Sequence, residues 1–342
     1  MNQPLVSICL VTYMHQRYIR DCLESMISQT YYNIELLILD DSSTDNTYNI
    51  IMTYEQRLHE RFPHVSIEKN ICNSGNVSAN LNKLLRKAKG EFIKTFAGDD
   101  AMLPTYVEEI VAFLEKSEND DAILAYTNAY IVGDTFRLGD ATCENCVYRW
   151  HKPYQQKELF EGLLKENFII AGSVMMRRHV YEQYGLYDEK IPFEDYDLWL
   201  RLSRRERFVY LPSKLIYYRR AETSLTNYLS EDGKDKVRFM LMGGKKTIQK
   251  NLRGLSVEKR RFYQQNFFES YLKTVLRSGF WDMTFQMMVF MWRKGYCIHN
   301  EVYQEIAKTA KRFLRNKIKY KHILKKYHVK MMNRNIHSGT GI

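Results

Sequence analysis

Short apolar runs alternate with longer stretches of helical period along the first hundred residues. Leu5 to Val11 (LVSICLV) is rich in β-branched residues and reads as a buried strand. Ile34 to Leu39 (IELLIL) is a second such run. Between them Ile19, Leu23, Met26 and Ile27 recur at helical spacing. The alternation continues with a helix from about Thr47 to Arg61 and a short strand around Val65 to Glu68. A helix from Asn76 to Ala88 and a strand at Glu91 to Phe96 follow. Strands alternating with helices predict an α/β fold with a mostly parallel sheet covered on both faces. In such sheets ligands collect at the carboxyl ends of the strands, so the polar residues just after each strand are the first candidates.

Beyond Pro104 the pattern predicts another helix, a strand near Ala122 to Val132 and a looser stretch through Trp150. A strand at Ser173 to Met176, a helix from Asp195 to Arg204 and short strands at Arg207 to Leu211 and Leu215 to Arg219 complete this part. Around Ser230 the texture changes. From Asp235 to about Tyr327 the period is almost wholly helical, with breaks near Gly254, Gly279 and Gly295. The expected organisation is an α/β domain over 1–230 and a helical region over 231–342. No apolar stretch approaches the roughly 20 residues that a membrane-spanning helix needs.

Charge sharpens that division. The net charge is +11, but residues 231–342 hold 25 Lys/Arg against 8 Asp/Glu, and the first 230 hold 26 against 32. The basic tail therefore faces a polyanion. Trp281, Phe285, Met288 and Trp292 share one helix face, and Lys308, Lys311, Arg312, Arg315, Lys317, Lys319 and Lys321 follow. That combination predicts a module that docks on an anionic membrane surface or on an acceptor. Six irregularly spaced cysteines suit a reducing cytoplasm. The Cys143-x-x-Cys146 pair, with only His151 nearby, falls short of the four ligands of a structural zinc.

Two nucleotide motifs are missing. The turn after the first strand, Thr12-Tyr13-Met14-His15, carries neither the GxGxxG of dinucleotide folds nor a P-loop. Gly243-Gly244-Lys245-Lys246-Thr247 resembles a P-loop ending without the earlier glycine or a preceding strand. Acidic clusters stand at the strand ends instead. The second strand runs into Asp40-Asp41-Ser42-Ser43-Thr44-Asp45-Asn46-Thr47, and the strand at 91–96 into Gly98-Asp99-Asp100. Helix capping suits Thr44 to Thr47 but not Asp40 and Asp41. Adjacent carboxylates such as Asp99 and Asp100 tolerate each other best with a hard cation beside them, although a solvated turn is the plainer reading. A third cluster, Glu194-Asp195-Tyr196-Asp197, opens an apolar helix, where capping accounts for one acid.

These segments, from VSICLVTYMHQRYIRDCLESM through ILDDSSTDNT and FAGDDAMLP to FEDYDLWLRL, resemble the family 2 glycosyltransferases of the GT-A fold over roughly residues 4 to 225. The resemblance implies an inverting, Mn²⁺- or Mg²⁺-dependent transfer from a nucleotide sugar, UDP-linked first, to an acceptor hydroxyl. It implies that Asp41 reads the nucleobase, with Thr12 and Tyr13 lining the base pocket. Asp99 and Asp100 would meet the ribose and the metal on the diphosphate, and Asp195, with Glu194 as the alternative, would be the general base. A lipid-linked glycan acceptor in bacterial surface polysaccharide assembly is also implied, and with it a cytoplasmic place on the inner face of the membrane. The chain departs from the pattern twice. Ala97 stands where relatives often carry an acid, and Arg220-Ala221-Glu222 stands where they carry a histidine, so Arg219 and Arg220 become candidates for holding the diphosphate. Two rivals remain at this stage. A two-carboxylate hydrolase is disfavoured by the nucleotide-binding style of the first hundred residues. A basic nucleic-acid-binding protein is disfavoured by the acidic first 230, so no nucleic acid partner is expected.

Overall fold

The computed structural model describes residues 3–140, 155–220 and 233–296, and beyond them 298, 299, 302–309 and 311. The chain folds as two compact units, Met1–Leu255 and Ser256–Ile342. The helix at Gly233–Asn251, which the sequence reading assigns to the basic tail, therefore belongs to the first unit.

The first unit is built on an eight-stranded sheet. Its strands are β1 (Val6–Thr12), β2 (Ile34–Asp40), β3 (His64–Lys69), β4 (Phe92–Ala97), β5 (Ala101–Met102), β6 (Ala122–Val132), β7 (Val174–Arg177) and β8 (Arg207–Arg219). Their order is β3-β2-β1-β4-β7-β6-β8-β5. The pairs among β1 to β4 are parallel, as is β6 with β8, whereas β7 runs antiparallel to β4 and β6, and β5 antiparallel to β8. The expected α/β class is what the chain adopts. The two short strands expected at 207–219 are one strand. Its register on β6 skips from Thr127↔Leu211 to Asn128↔Lys214, which leaves Pro212 and Ser213 as a bulge. Proline has no N–H to give to a ladder, so the strand bends there and continues.

Around the sheet lie α1 (Ile19–Ile27), α2 (Thr47–Arg61), α3 (Val77–Leu85), α4 (Tyr106–Leu114), α5 (Gln156–Lys165), α6 (His179–Tyr184), α7 (Glu194–Leu202) and α8 (Gly233–Asn251). Alternate residues of β1 and β2, namely Val6, Ile8 and Leu10 with Ile34, Leu36 and Ile38, join the buried core with Ile19, Leu23 and Met26 of α1 and Ile50, Ile51 and Leu58 of α2. Each such side chain contributes about 1.5–3 kcal/mol when buried. Sheet residues of this kind hold β1, β2 and β4 level, which sets their carboxyl ends side by side.

The second unit holds α9 (Val257–Arg277), α10 (Trp281–Arg293) and a helical segment at 302–309. Gly254, Gly279 and Gly295 all have positive φ, which stops each preceding helix as the breaks in the sequence foretell. On α10 the buried face is Met283, Thr284, Met287 and Met291. Phe285 and Trp292 are left 69% and 78% exposed, while Trp281 and Met288 are partly covered. Among the described residues no helix is long and apolar enough to cross a membrane. The Cys143-x-x-Cys146 pair and the lysine and arginine run beyond Lys311 lie outside the described residues.

Candidate active site

Backbone register sets the floor of the site. Thr12 ends β1 opposite Asp40 of β2, Val11 lies opposite Ala97 of β4, and the Asp41 N–H donates to the Thr12 carbonyl at 2.9 Å. Met14 and Ser42, in the loops that follow β1 and β2, take left-handed backbone with φ of 58° and 61°. Non-glycine residues persist in that region only when their surroundings hold them. Here the polar cluster after β2 does the holding. Ser43 Oγ accepts from the Met14 N–H at 2.9 Å, Thr47 Oγ1 from His15 at 2.8 Å and Asp45 Oδ2 from Gln16 at 3.1 Å. Asn46 makes no side-chain cap on α2. Residues 43 to 47 thus brace the turn after β1 more than they cap their own helix.

Asp40 is fully buried, with its carboxylate on the Ser43 N–H and hydroxyl at 2.8 and 2.6 Å, so it shapes the turn. Asp41 shapes the neighbouring loop. Its Oδ1 accepts from Asn70 Nδ2 at 2.6 Å and the Ser74 N–H at 2.9 Å, and its Oδ2 from Ser74 Oγ at 2.9 Å. Burial pushes the Asp41 carboxyl up, but the bonds from Ser74 and Asn70 outweigh it and hold it below the ordinary value. The Asn80 side chain adds to the same effect. Tyr13 is 43% exposed beside it.

The acidic turn after β4 rests on Thr12. A Cβ on Gly98 would stand 2.7 Å from Thr12 Oγ1 and 2.8 Å from His15 Nδ1, so only glycine fits. The two acids that follow have different surroundings. Asp100 is 6% exposed, and its Oδ1 accepts from the Arg219 N–H at 2.8 Å. Burial, then the charge of Asp99, pushes its carboxyl well above the usual range. The Asp99 carboxylate is partly exposed and makes no hydrogen bond or ion pair among the described residues. Nearby, Lys94 is buried in β4, donates to the carbonyls of Gly172 and Val174, and lies over the Phe96 and Tyr106 rings. Burial holds its ammonium well below the usual value, against the pull of Asp100.

Arg219, expected at a diphosphate, is spent on the protein. It is 2% exposed; Nε donates to the Asp99 carbonyl at 2.8 Å, and Nη1 to those of Gly133 and Phe136 at 2.8 and 3.0 Å. Nη2 pairs with Asp21 Oδ2 at 3.2 Å, and the Tyr18 and Phe136 rings cover the guanidinium. Four of five N–H groups are thereby used. Its neighbour Arg220 is exposed. Among the described residues no group of three or more His, Cys, Asp or Glu side chains gathers as a ready-made metal centre. An unpartnered Asp99 carboxylate beside a buried acid nevertheless fits a hard cation that takes its remaining ligands from a diphosphate and water.

The third acidic cluster opens α7, and the strap before it is tied to α3. Asn76 Nδ2 donates to the Glu189 carbonyl at 2.9 Å and Asn82 Nδ2 to that of Tyr187 at 3.0 Å. The loop that Asp41 organises is thus continuous with the support of α7. Asp195 Oδ1 accepts from the Tyr196 N–H at 2.6 Å and Oδ2 from Asn167 Nδ2 at 3.3 Å. The helix dipole alone leads one to expect a low pKa for Asp195. Burial overrides it and raises the carboxyl above its ordinary value, despite the bonds from Tyr196 and Asn167. Burial, then the charge of Asp195, pushes Glu194 to about 8. Burial thus opposes charge on both carboxyls, and the charge of Asp195 adds to it at Glu194. Asp197, fully buried, is the structural acid of the cluster. It pairs with Arg201 at 3.1 Å and Lys250 at 2.8 Å and accepts from Asn251 at 3.0 Å, which fastens α8 to α7.

The family model for glycosyl transferase family 2 matches residues 7–185, just over half of the chain. The chain belongs to glycosyl transferase family 2. An uncharacterized glycosyltransferase of Haemophilus influenzae is 29% identical over 226 residues, 64% of this chain and 66% of that protein. The putative glycosyltransferase EpsE of Bacillus subtilis is 31% identical over 202 residues, 58% of this chain and 66% of its own length. The chain thus spans just under two thirds of the length of these curated relatives. Among solved structures, the mannosyltransferase PcManGT of Pyrobaculum calidifontis, in complex with GDP-Man and Mn²⁺, superposes with a TM-score of 0.56 at 12% identity. That match covers 99% of this chain and 89% of PcManGT. S. aureus TarS 1-349 in complex with UDP-GlcNAc gives 0.52 at 16% identity, covering 80% of this chain and 82% of that one. These likenesses agree with the GT-A fold expected from the sequence.

Within this family 2 chain the structure gathers Thr12, Tyr13, Asp41, Asp99 and Asp100 at the ends of three adjacent strands, and sets Glu194 and Asp195 on a separate helix. Sequence reasoning missed Lys94, Asp21 and the α8 residues Lys250 and Asn251. A lone lysine in an apolar strand was a visible signal. The α8 partners lie about fifty residues from Asp197 and had none.

Proposed function

We propose that this chain transfers a sugar from a nucleotide-sugar donor, UDP-linked first, to a hydroxyl of a glycan acceptor, with inversion at the anomeric carbon. The observation that carries the proposal is the pairing of two acidic sites in one unit, Asp99 at the strand ends and Asp195 at the head of α7. Asp41 and Tyr13 would take the nucleobase. Asp99 would hold a Mg²⁺ or Mn²⁺, and when bound this ion would neutralise charge on the departing diphosphate. Arg220 would add a charge-assisted contact to the same oxygens. Asp195 would accept the proton of the attacking hydroxyl, in reach of a carboxylate that Asn167 keeps oriented. Protonated Glu194 would spare Asp195 the repulsion of a second anion.

The acceptor is proposed to be lipid-linked and the chain to sit peripherally on an anionic membrane. Exposed Phe285 and Trp292 in a unit with 18 basic and 5 acidic residues support that reading. The donors named for the two structural neighbours carry different bases, so the base is a matter for experiment. A screen of UDP-, GDP- and dTDP-sugars for released nucleotide tests the proposal. Turnover of at least one donor is expected, lost with EDTA and restored by Mn²⁺ or Mg²⁺. Undiminished turnover in chelator would remove the metal from the account.

A further inference from the structure

The residues placed in the reaction above do not line a cavity that lies close by in the same unit. It measures about 570 Å³ and lies between the N-terminus of α3, the strap at 189–192 and α8. Two contacts fix α8 as its wall. At one, a Cβ on Gly243 would stand 2.4 Å from Pro192 Cγ and 2.7 Å from Phe193 Cε2, so the backbone of α8 touches the strap where only glycine can. At the other, Lys250 binds both Asp188 and Asp197, at 2.7 and 2.8 Å. Phe239, Met242 and Lys246, spaced as one helix face, line the cavity from α8.

These apolar residues are not core. Phe239 is 43% and Met242 61% exposed. The Phe239 ring meets the Phe193 ring edge-on with centroids 6.1 Å apart, and Phe193 directly precedes Glu194 and Asp195. An exposed aromatic platform therefore ends one residue from the proposed base. The carboxylates on the wall are engaged elsewhere: Glu189 accepts from Asn82 at 2.9 Å and Asp235 pairs with Arg238 at 3.2 Å. The ammonium groups of Lys190 and Lys246 have no such partner among the described residues. Pyranose rings present C–H faces that pack on aromatic rings, and unpaired ammonium groups draw an anion.

We propose that this cavity is an acceptor subsite for an anionic saccharide, with a sugar ring on Phe239 and its negative group toward Lys190 and Lys246, joined to the head of α7 through the contact of Phe239 with Phe193. The inference rests on the glycosyl-transfer reading. Saturation-transfer NMR on the full chain, with UDP and Mg²⁺ present and methyl β-glucuronide or methyl β-glucoside as probe, tests it. The glucuronide should give ring-proton signals in the wild type that Phe239→Ala loses at an unchanged melting temperature. The double variant Lys190→Glu, Lys246→Glu should lose the glucuronide signal and keep that of the glucoside. A glucuronide signal that survives in Phe239→Ala or in the double lysine variant would overturn the subsite. Donor hydrolysis without acceptor should be unchanged in Phe239→Ala. Wild type that hydrolyses no nucleotide sugar would count against the transferase reading itself, a separate result from loss of glucuronide binding.

Discussion

The turn after β4 and the head of α7 each present two adjacent acids, and the protein treats the pairs in different ways. At the turn, Asp100 is buried against the Arg219 backbone and Lys94, which leaves Asp99 as a bare carboxylate. On α7, Glu194 is raised to about 8, and Asp195, also raised by burial, accepts from Asn167 and the Tyr196 N–H. Both arrangements place the two acids of a repelling pair in unlike surroundings. The first suits a cation, because Asp99 is partly exposed with no hydrogen-bond partner among the described residues, and its neighbour Asp100 is already bonded. The second suits a base, because the anion is partly buried and its pKa is raised toward neutrality.

The comparison breaks most visibly at Asp99. Asp99→Asn should lower kcat/KM by about 10³- to 10⁴-fold, the loss of several kcal/mol of charge stabilisation, and raising Mn²⁺ should not restore it. Asp100→Asn, in contrast, should act mainly on stability, read as a fall in melting temperature with residual metal-dependent turnover. On the other pair, Asp195→Asn should cost roughly 10²- to 10⁴-fold in transfer, while Glu194→Gln keeps most of it. A dead Glu194→Gln beside an active Asp195→Asn would shift the base by one residue.

The pH dependence sharpens the same contrast. Because burial raises Asp195, the acidic limb of kcat/KM should lie above the ordinary aspartate value and move when Asn167 is changed to Ala. For Glu194 the folded state binds its proton more tightly than the unfolded chain, about 8 against 4.5. Stability from this group is present below pH 4.5 and is lost as pH rises through about 8. Glu194→Gln should therefore gain in melting temperature, relative to wild type, more at pH 8.5 than at pH 4. An equal difference at both pH values would deny the shift.

The smallest effect concerns the second unit. The double variant Phe285→Ser, Trp292→Ser should sediment less with phosphatidylglycerol vesicles than wild type at low salt. Basic residues near such a surface contribute about 1 kcal/mol each, so salt should reduce binding by both proteins. Equal partitioning would make that face a packing surface for another protein.

Local pattern made the strand-end acidic site legible. β1, β2 and β4 fall where the apolar runs do, and the acids that follow them stand together because parallel strands share a carboxyl edge. What stayed hidden depends on long-range contacts. Arg219 reads as a candidate for the diphosphate, yet Asp21, Gly133 and Phe136 enclose it from distant parts of the chain. Asp195 reads as a dipole-stabilised acid, yet burial decides its pKa. The α8 helix reads as tail because its lysines share the composition of the tail, and only Asp197 and the Gly243 contact show which unit it joins. The strand from Arg207 reads as two because Pro212 marks a break that the ladder bridges with a bulge.

Division of labour between the two acidic pairs is tested most directly by titrating UDP with Mn²⁺ into wild type, Asp99→Asn and Asp195→Asn by calorimetry. Asp195→Asn should bind as wild type does while its transfer fails, and Asp99→Asn should lose the Mn²⁺-dependent part of the affinity. Wild-type binding by Asp99→Asn, or lost binding by Asp195→Asn, would contradict the assignment of one pair to the donor and the other to the acceptor.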